Sequence, residues 1–331
     1  MSYSNTSVNM YTSCQRKYYH NYIAHSPMCK LKPLYFEFGE MAHKVLEEAG
    51  KLRDSIEAGI PDYATVIPSE LLYDDLKREF RILNWHSYFT NVCKQVAKYE
   101  KQEIQAIGLE SQSSIEIMRE CNLQQDIGNG EPLVGIVDLL LITEDRQYAT
   151  ILDYKFSSTI KTQDDFDMNS QLYIYAFLVH KNFGVPLRNI KIGYIDIVRA
   201  DFERPIVLSN GTLSRAKSQN TSQEMYITCV KALWSDEAEQ MLAPGGYYYD
   251  IVQELANRKI AYLNSQWLDI DNYNGVLNDV LNVILDLTNK KLSYSLTKDE
   301  HIFNARYDAY TCKSCEFVES CKPWLKGRLN K

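Results

Sequence analysis

The chain has 331 residues, 45% hydrophobic and 24% charged, ordinary proportions for a globular protein of one large domain or two smaller ones. A formal net charge of −7 excludes a protein coated in positive charge, while a local basic groove stays compatible with it. The N-terminus lacks a basic start followed by an apolar run, and no apolar run approaches the roughly 18 residues of a membrane span. A cytoplasmic location with no membrane partner is therefore expected, with the eight cysteines as free thiols or ligands rather than disulfides.

In chain order, residues 34–56 ("LYFEFGEMAHKVLEEAGKLRDSI") have helical spacing, with Phe38, Met41, Ala42, Val45 and Leu46 on one side. Gly39 and His43 lie one turn apart on that helix, and Gly39 would let it approach another backbone. Residues 70–107 read as long helices of mixed charge. Residues 113–121, 133–142 and 149–156 read as strands, with "TEDRQ" as the turn between the last two. A helix follows over 164–184, ended by Gly184, and then a fourth strand over 189–199. Residues 208–226 are polar, and 224–290 look helical apart from "APGG" at 243–246, so 200–290 reads as a mostly helical insertion. The tail, 291–331, returns to short, cysteine-rich structure.

The third strand ends in "LDYKFS", which sets Asp153 and Lys155 two residues apart on one face. Ions buried there must be paired or bound to a metal. With the hairpin turn centred between Asp145 and Arg146, residues whose numbers sum to 291 oppose each other, and Asp138 faces Asp153. Opposed like charges, about 4.5–5.5 Å apart at Cβ, need a cation between them, and carboxylate oxygens suit Mg²⁺ or Mn²⁺. Lys155 would then orient a water or stabilise charge on a phosphoryl oxygen, which is metal-assisted phosphodiester hydrolysis. The competing reading is a plain Asp–Lys ion pair at a strand end. Gly135, three residues before Asp138, would admit a substrate backbone, and Gln171 and Tyr175 share a face of the next helix. In "SRAKSQNTS", Arg215 and Lys217 offer charge to DNA phosphates, against the alternative that this stretch caps the next helix. Cys312, Cys315 and Cys321 have C-x2-C-x5-C spacing and want a fourth partner for a thiolate metal site or a cluster. Cys14, in a short N-terminal helix, is the choice.

Taken together, "GEMAH", "GIVD", "DYK" and "QLYIY", flanked by Cys14 and the three late cysteines, stand in the order of a known family. The chain resembles the RecB-like branch of the PD-(D/E)XK nucleases, and looks most like the iron–sulfur exonucleases of CRISPR spacer acquisition and their phage-encoded relatives. The resemblance covers roughly 1–199 and 292–331. It implies an α/β fold with an αβββαβ restriction-endonuclease-like core and a mixed central sheet. Residues 1–199 would form the nuclease core, 200–290 an insertion, and 291–331 a cluster-binding segment completing the core. It further implies that His43, Asp138, Asp153 and the Tyr154 carbonyl bind Mg²⁺ or Mn²⁺, with Lys155 assisting the attacking water. Gln171 and Tyr175 would position DNA, and Cys14, Cys312, Cys315 and Cys321 would hold a 4Fe–4S cluster. The expected activity is a metal-dependent exonuclease on single-stranded DNA or DNA ends, in recombination, repair, phage DNA processing or CRISPR adaptation. No G-x4-G-K-(S/T) motif is present, so unwinding would need a helicase or other partner protein. The alternatives are a non-catalytic module that binds DNA ends or a partner, and a zinc-stabilised structural protein.

Overall fold

The three-dimensional structure is a computed structural model, which describes residues 2–30, 34–56, 61–67, 85–157, 160–198, 204–219, 221–306 and 309–325. Among the described residues, the α-helices α1 (Asn5–Ser13), α2 (Gln15–Tyr18), α3 (Leu34–Asp54) and α4 (Trp85–Glu110) precede the sheet. The helical reading of 70–107 is met from residue 85 onward, and 68–84 lie outside the described residues. Five strands form one mixed sheet in the order β1 (Ile115–Asp126), β2 (Pro132–Thr143), β3 (Ala149–Ser157), β4 (Ile190–Val198) and β5 (Ala261–Trp267). Among these five described strands, β3 and β4 are the one parallel pair. A parallel pair needs a crossover, and α5 (Gln163–Asp167) with α6 (Ser170–Phe183) supplies it. The side chain of Asn169 caps α6 by accepting from the Gln171 N–H, and Gly184 ends it at a φ of 75°, where a side chain would be strained.

Two apolar layers cover the two faces. On one, Leu140, Ile142, Ala149, Ile151 and Ile192 pack against Leu172, Tyr173, Ala176 and Leu178 of α6. On the other, Leu139, Leu141, Leu152, Tyr154 and Ile195 pack against Val45 and Ala49 of α3 and Phe89, Val92 and Val96 of α4. The first six residues of β3 are buried throughout, as a strand covered on both faces must be.

After β4 the chain leaves the sheet. Helices α7 (Gln223–Trp234), α8 (Ala238–Leu242) and α9 (Tyr249–Ala256) gather around a small separate core of Leu213, Tyr226, Val230, Tyr248, Ile251 and Leu255. The 200–290 stretch differs from its helical reading in one respect: β5 joins the sheet edge, antiparallel to β4. Most of β5 is only half-buried, so "AYLNSQW" carries no clear two-residue alternation. Next, α10 (Ile270–Thr297) lays Tyr273, Val280, Ile284 and Leu287 into the α6 layer. Two short helices, α11 (Ala309–Ser314) and α12 (Val318–Leu325), close the described chain. Among the described residues no helix is long and apolar enough to cross a membrane.

The N-terminal segment is stitched to distant parts of the chain. Tyr3 donates its N–H to the Pro132 carbonyl and accepts from the Val134 N–H, which extends β2 sideways. Tyr11 donates to Asp286 of α10 at 2.5 Å, and the guanidinium of Arg16, 2% exposed, pairs with Glu300 at 2.8 Å.

Gly193 makes room for β5. A Cβ there would stand 2.7 Å from the Ser265 Cβ and 2.8 Å from the Asn264 carbonyl oxygen. Gly193→Ala should therefore destabilise the protein by about 1–3 kcal/mol through overpacking. Denaturant unfolding reads this directly, and an unchanged midpoint would mean that β5 is not held tightly to β4.

Candidate metal centre and catalytic strand

β2 and β3 pair with residue numbers summing to 291 from Leu139↔Leu152 to Ile142↔Ala149, as the turn position requires. The next rung does not form. Asp138 and Asp153 are not backbone partners; instead the Tyr154 N–H donates to Asp138 Oδ2 at 2.7 Å. This corrects the expected head-on opposition of two carboxylates. The cause is a slip in side-chain alternation. Val137 and Leu140, three residues apart, both pack in the α6 layer, whereas strict alternation would put them on opposite faces. Asp138 lies inside that slip and turns its carboxylate toward β3.

β1 slips in step. Met118 and Cys121, also three apart, both contact the α6 layer. Between them Glu120 has a φ of 47°, uncommon for a residue other than glycine and typical of strain kept at functional sites. It occupies the missing rung between Arg119↔Leu139 and Cys121↔Val137. His43 of α3, Glu120 and Asp138 thereby bring ligand atoms to within 4.8 Å of one another, with His43 Nδ1 3.4 Å from Asp138 Oδ2. The sequence reading did not single out Glu120. Centring the first hairpin on Asn129 in "IGNGEP" pairs numbers that sum to 258 and would have set Glu120 opposite Asp138.

Asp153, 1% exposed, is held from the α6 side. Gln171 Nε2 donates to Asp153 Oδ1 at 3.0 Å, and the Lys155 ammonium lies 2.5 Å from Oδ2. Lys155 also donates to Gln171 Oε1 at 2.9 Å, while Gln171 Nε2 donates to the Tyr175 hydroxyl at 2.7 Å. Lys155, Asp153, Gln171 and Tyr175 thus form one hydrogen-bonded chain. A Cβ at Gly135 would meet Tyr175 Cε1 at 2.8 Å, so that glycine makes room for Tyr175 rather than for a substrate backbone. A Cβ at Gly39 would meet nothing within 4 Å, so no close approach of backbone depends on it.

The charges of this region are far from balanced. Burial pushes the Asp153 carboxyl up to about 6, with Lys155 opposing and Asp138 adding. Burial and then the charge of Asp138 push Glu120 up to about 7, with His43 opposing. Burial disfavours charge on His43, yet the hydrogen bond and charge of Asp138 outweigh it and raise its pKa. Three acids face one imidazole and one ammonium, and the raised pKa values of Asp153 and Glu120 mean that a cation binding there would displace protons. Imidazole nitrogen and carboxylate oxygen are together a donor set that can hold a divalent cation.

Behind β3 the balance is complete. The Tyr154 side chain crosses to the α4 face and donates to Glu100 Oε1 at 2.6 Å. Glu100, 1% exposed, also pairs with Arg119 at 2.8 Å and with Arg53. Arg119 further holds Asp54, and only the missing side chain of Gly50 leaves space for its guanidinium.

Beside Gln171 opens a polar cleft of about 450 Å³, lined among others by Asn5, Asn9, Lys161, Ser170, Asp164 and Asp165. Arg215 stands 3.8 Å from Asp250 and Lys217 3.1 Å from Glu254, both acids of α9, while Ser222 caps α7. Cys14 is not inside a helix: it is extended, at φ −161° and ψ 109°, in the break between α1 and α2. Burial lifts the Cys321 thiol to about 11, with Arg16 opposing and Cys14, Cys315 and Cys312 adding. No three of these four sulfurs all lie within 4.8 Å of one another. Cys29 donates its N–H and its thiol to the Glu316 carbonyl, at 2.8 and 2.9 Å.

The pattern describing the PD-(D/E)XK nuclease superfamily matches residues 2–322. No curated protein matches the chain. Among solved structures, one described as "Crystal structure of SSO0001" aligns over 86% of this chain and 95% of that one, at 14% identity and a TM-score of 0.25.

The raised Glu120 pKa has a definite sign for stability. Its ordinary value is 4.5 and its folded value about 7, so its charge destabilises the metal-free protein progressively across that interval and fully above it. Glu120→Gln should therefore melt at a higher temperature than the parent above about pH 7 without metal, and gain less from added Mn²⁺. The parent should release protons on binding Mn²⁺ near neutral pH, read by calorimetry in buffers of different ionisation enthalpy. Equal stabilisation of parent and variant by Mn²⁺ would remove Glu120 from the site.

Proposed function

The chain belongs to the PD-(D/E)XK nuclease superfamily, and on that premise we propose that it is a Mg²⁺- or Mn²⁺-dependent deoxyribonuclease, an exonuclease of the RecB-like, iron–sulfur branch acting on single strands or DNA ends. One observation carries this reading: the locked Lys155–Asp153–Gln171 chain lies next to the acid-rich His43–Glu120–Asp138 group. A protein that only bound DNA would have no use for buried carboxylates that repel phosphate.

His43, Glu120, Asp138, Asp153 and the Tyr154 carbonyl would hold the cation. When bound, it supplies Lewis-acid polarisation of a phosphoryl oxygen and acidifies water. Lys155, fixed by Asp153 and Gln171, directs its ammonium at charge developing on the phosphate and orients the attacking water. The water oxygen bonds to phosphorus as the bond to the leaving sugar oxygen breaks, and that oxygen takes up the proton. The Tyr194 ring, 5.7 Å from Lys155 Nζ, stabilises the ammonium from β4. Gln171 and Tyr175 position the DNA through the group they hold. The strand's phosphates would enter along the polar cleft, where Lys161 and the N-terminus of α6 offer donors. Arg215 and Lys217 would contact DNA farther out, exchanging Asp250 and Glu254 for phosphate. Unwinding is left to a helicase or recombination partner.

We read Cys14, Cys312, Cys315 and Cys321 as ligands of a structural 4Fe–4S cluster. Their mutual effect on the Cys321 thiol supports this. Such a cluster closes nearly the whole chain into a loop, so its binding energy becomes folding energy.

Lys155→Ala should slow hydrolysis of end-labelled DNA about 10²–10³-fold while DNA affinity holds. A fall in affinity equal to the fall in rate would make Lys155 a phosphate anchor. DNA bound but uncut by the parent, with both Mg²⁺ and Mn²⁺, would favour the non-catalytic module.

Anaerobically purified protein should be brown, with about four irons per chain, and Cys14→Ser should be colourless and poorly soluble. Stoichiometric zinc without iron would overturn the cluster.

A further inference from the structure

A second cavity, of about 550 Å³, opens away from the polar cleft, between the end of α3 and the outer face of α4. Lys94, Lys98 and Lys101 line it, spaced by four and three residues, so their ammonium groups share one helix face. All three are exposed, and no ion pair with a described residue engages them. Arg53 also lines it, already paired with Glu100. Asp54, the acid that lines the cavity among the described residues, is already taken by two hydrogen bonds from Arg119, at 2.8 and 3.2 Å. Three ammonium groups on one helix face repel each other, and an anion seated among them relieves that repulsion.

The rest of the wall is apolar. Ile104, Ala97 and the buried ring of Tyr63 line it together with the lysine stems. Apolar lining beside ammonium groups suits a ligand with an aromatic part and a phosphate. The volume lies in the range of small-molecule sites, roughly 300–1,000 Å³. Arg53 also links the cavity to the catalytic strand, because its partner Glu100 accepts from the Tyr154 hydroxyl.

We propose that this cavity binds a nucleotide, its base against Tyr63 and Ile104 and its phosphate on Lys94, Lys98 and Lys101. The choice of ligand rests on the nuclease reading. Arg53 follows His43 by ten residues of α3, about 15 Å at 1.5 Å per residue. The nucleotide therefore comes from one of two sources: a free mononucleotide, the product of exonuclease action, or a unit of a strand that extends past the metal centre.

Full-length protein in EDTA, titrated with dTMP and with a fluorescent oligo(dT), separates the two. The double substitution Lys98→Glu/Lys101→Glu touches no residue of the metal centre. It should weaken oligonucleotide binding at least about tenfold and lower the salt slope by about 1.4, since each lost phosphate contact on a single strand contributes about 0.7. Saturable dTMP binding by the parent that is lost in the variant assigns the site to free nucleotide. An effect on the oligonucleotide alone assigns it to the strand. Lys98→Gln/Lys101→Gln, checked by thermal melting, serves if the charge reversal perturbs folding. Unchanged oligonucleotide affinity, salt slope and dTMP binding in a folded variant overturns the cavity. Hydrolysis of DNA by the parent with Mn²⁺ reads the metal centre independently, so failure of the cavity and failure of the nuclease reading are told apart.

Discussion

The site depends on one hydrogen bond, from the Tyr154 N–H to Asp138 Oδ2. A buried backbone donor must find a partner, and here a carboxylate replaces the backbone carbonyl that a regular ladder would supply. That exchange ends the pairing of β2 with β3 at Leu139↔Leu152. β3 then continues beside β4 alone, with Asp153 opposite Tyr194 and Lys155 opposite Asp196. The gap between the diverging strands is where the acidic groups collect. A charge-assisted bond is stronger than a neutral one, so the break in the sheet is held as firmly as the rungs it replaces.

Two buried charge groups flank Tyr154, and their contrast explains their roles. Behind the strand, Glu100 has two guanidinium groups and a phenol hydroxyl, enough cationic and hydrogen-bonding partners to be stable as it stands. In front, Glu120, Asp138 and Asp153 share one imidazole and one ammonium. A buried acid without a full partner takes up protons or awaits a cation. The satisfied group behind anchors Tyr154 and Arg119, the neighbours of Asp153 and Glu120 in the chain. That anchoring lets the strained φ of Glu120 persist.

The ends of the chain are part of the same unit. Tyr3 bonds the backbone of β2, Tyr11 reaches α10, and Arg16 is buried against Glu300. Contacts between residues almost 300 positions apart close a very long loop. The helices α7 to α9 stand apart from this arrangement because they keep a core of their own.

Local spacing determined much of this protein. The apolar stripe of α3, the buried run of β3, the stop at Gly184 and the pairing of the β2–β3 hairpin all follow from periods of 3.6 and 2 and from turn chemistry. The short motifs "DYK" and "QLYIY" likewise set Asp153, Lys155, Gln171 and Tyr175 on facing elements, and the structure joins their side chains. Three things only the tertiary structure decided. The joint slip of β1 and β2 that admits Glu120 cannot be read in either strand alone, because each keeps its register and the shift shows only against the layers above and below. The edge position of β5 came from pairing with β4, since a half-covered strand carries little apolar signal. The partners of Asp138 were decided by the break in the ladder: sequence spacing says which residues can oppose each other, but whether a backbone or a side chain fills the rung depends on what packs around it.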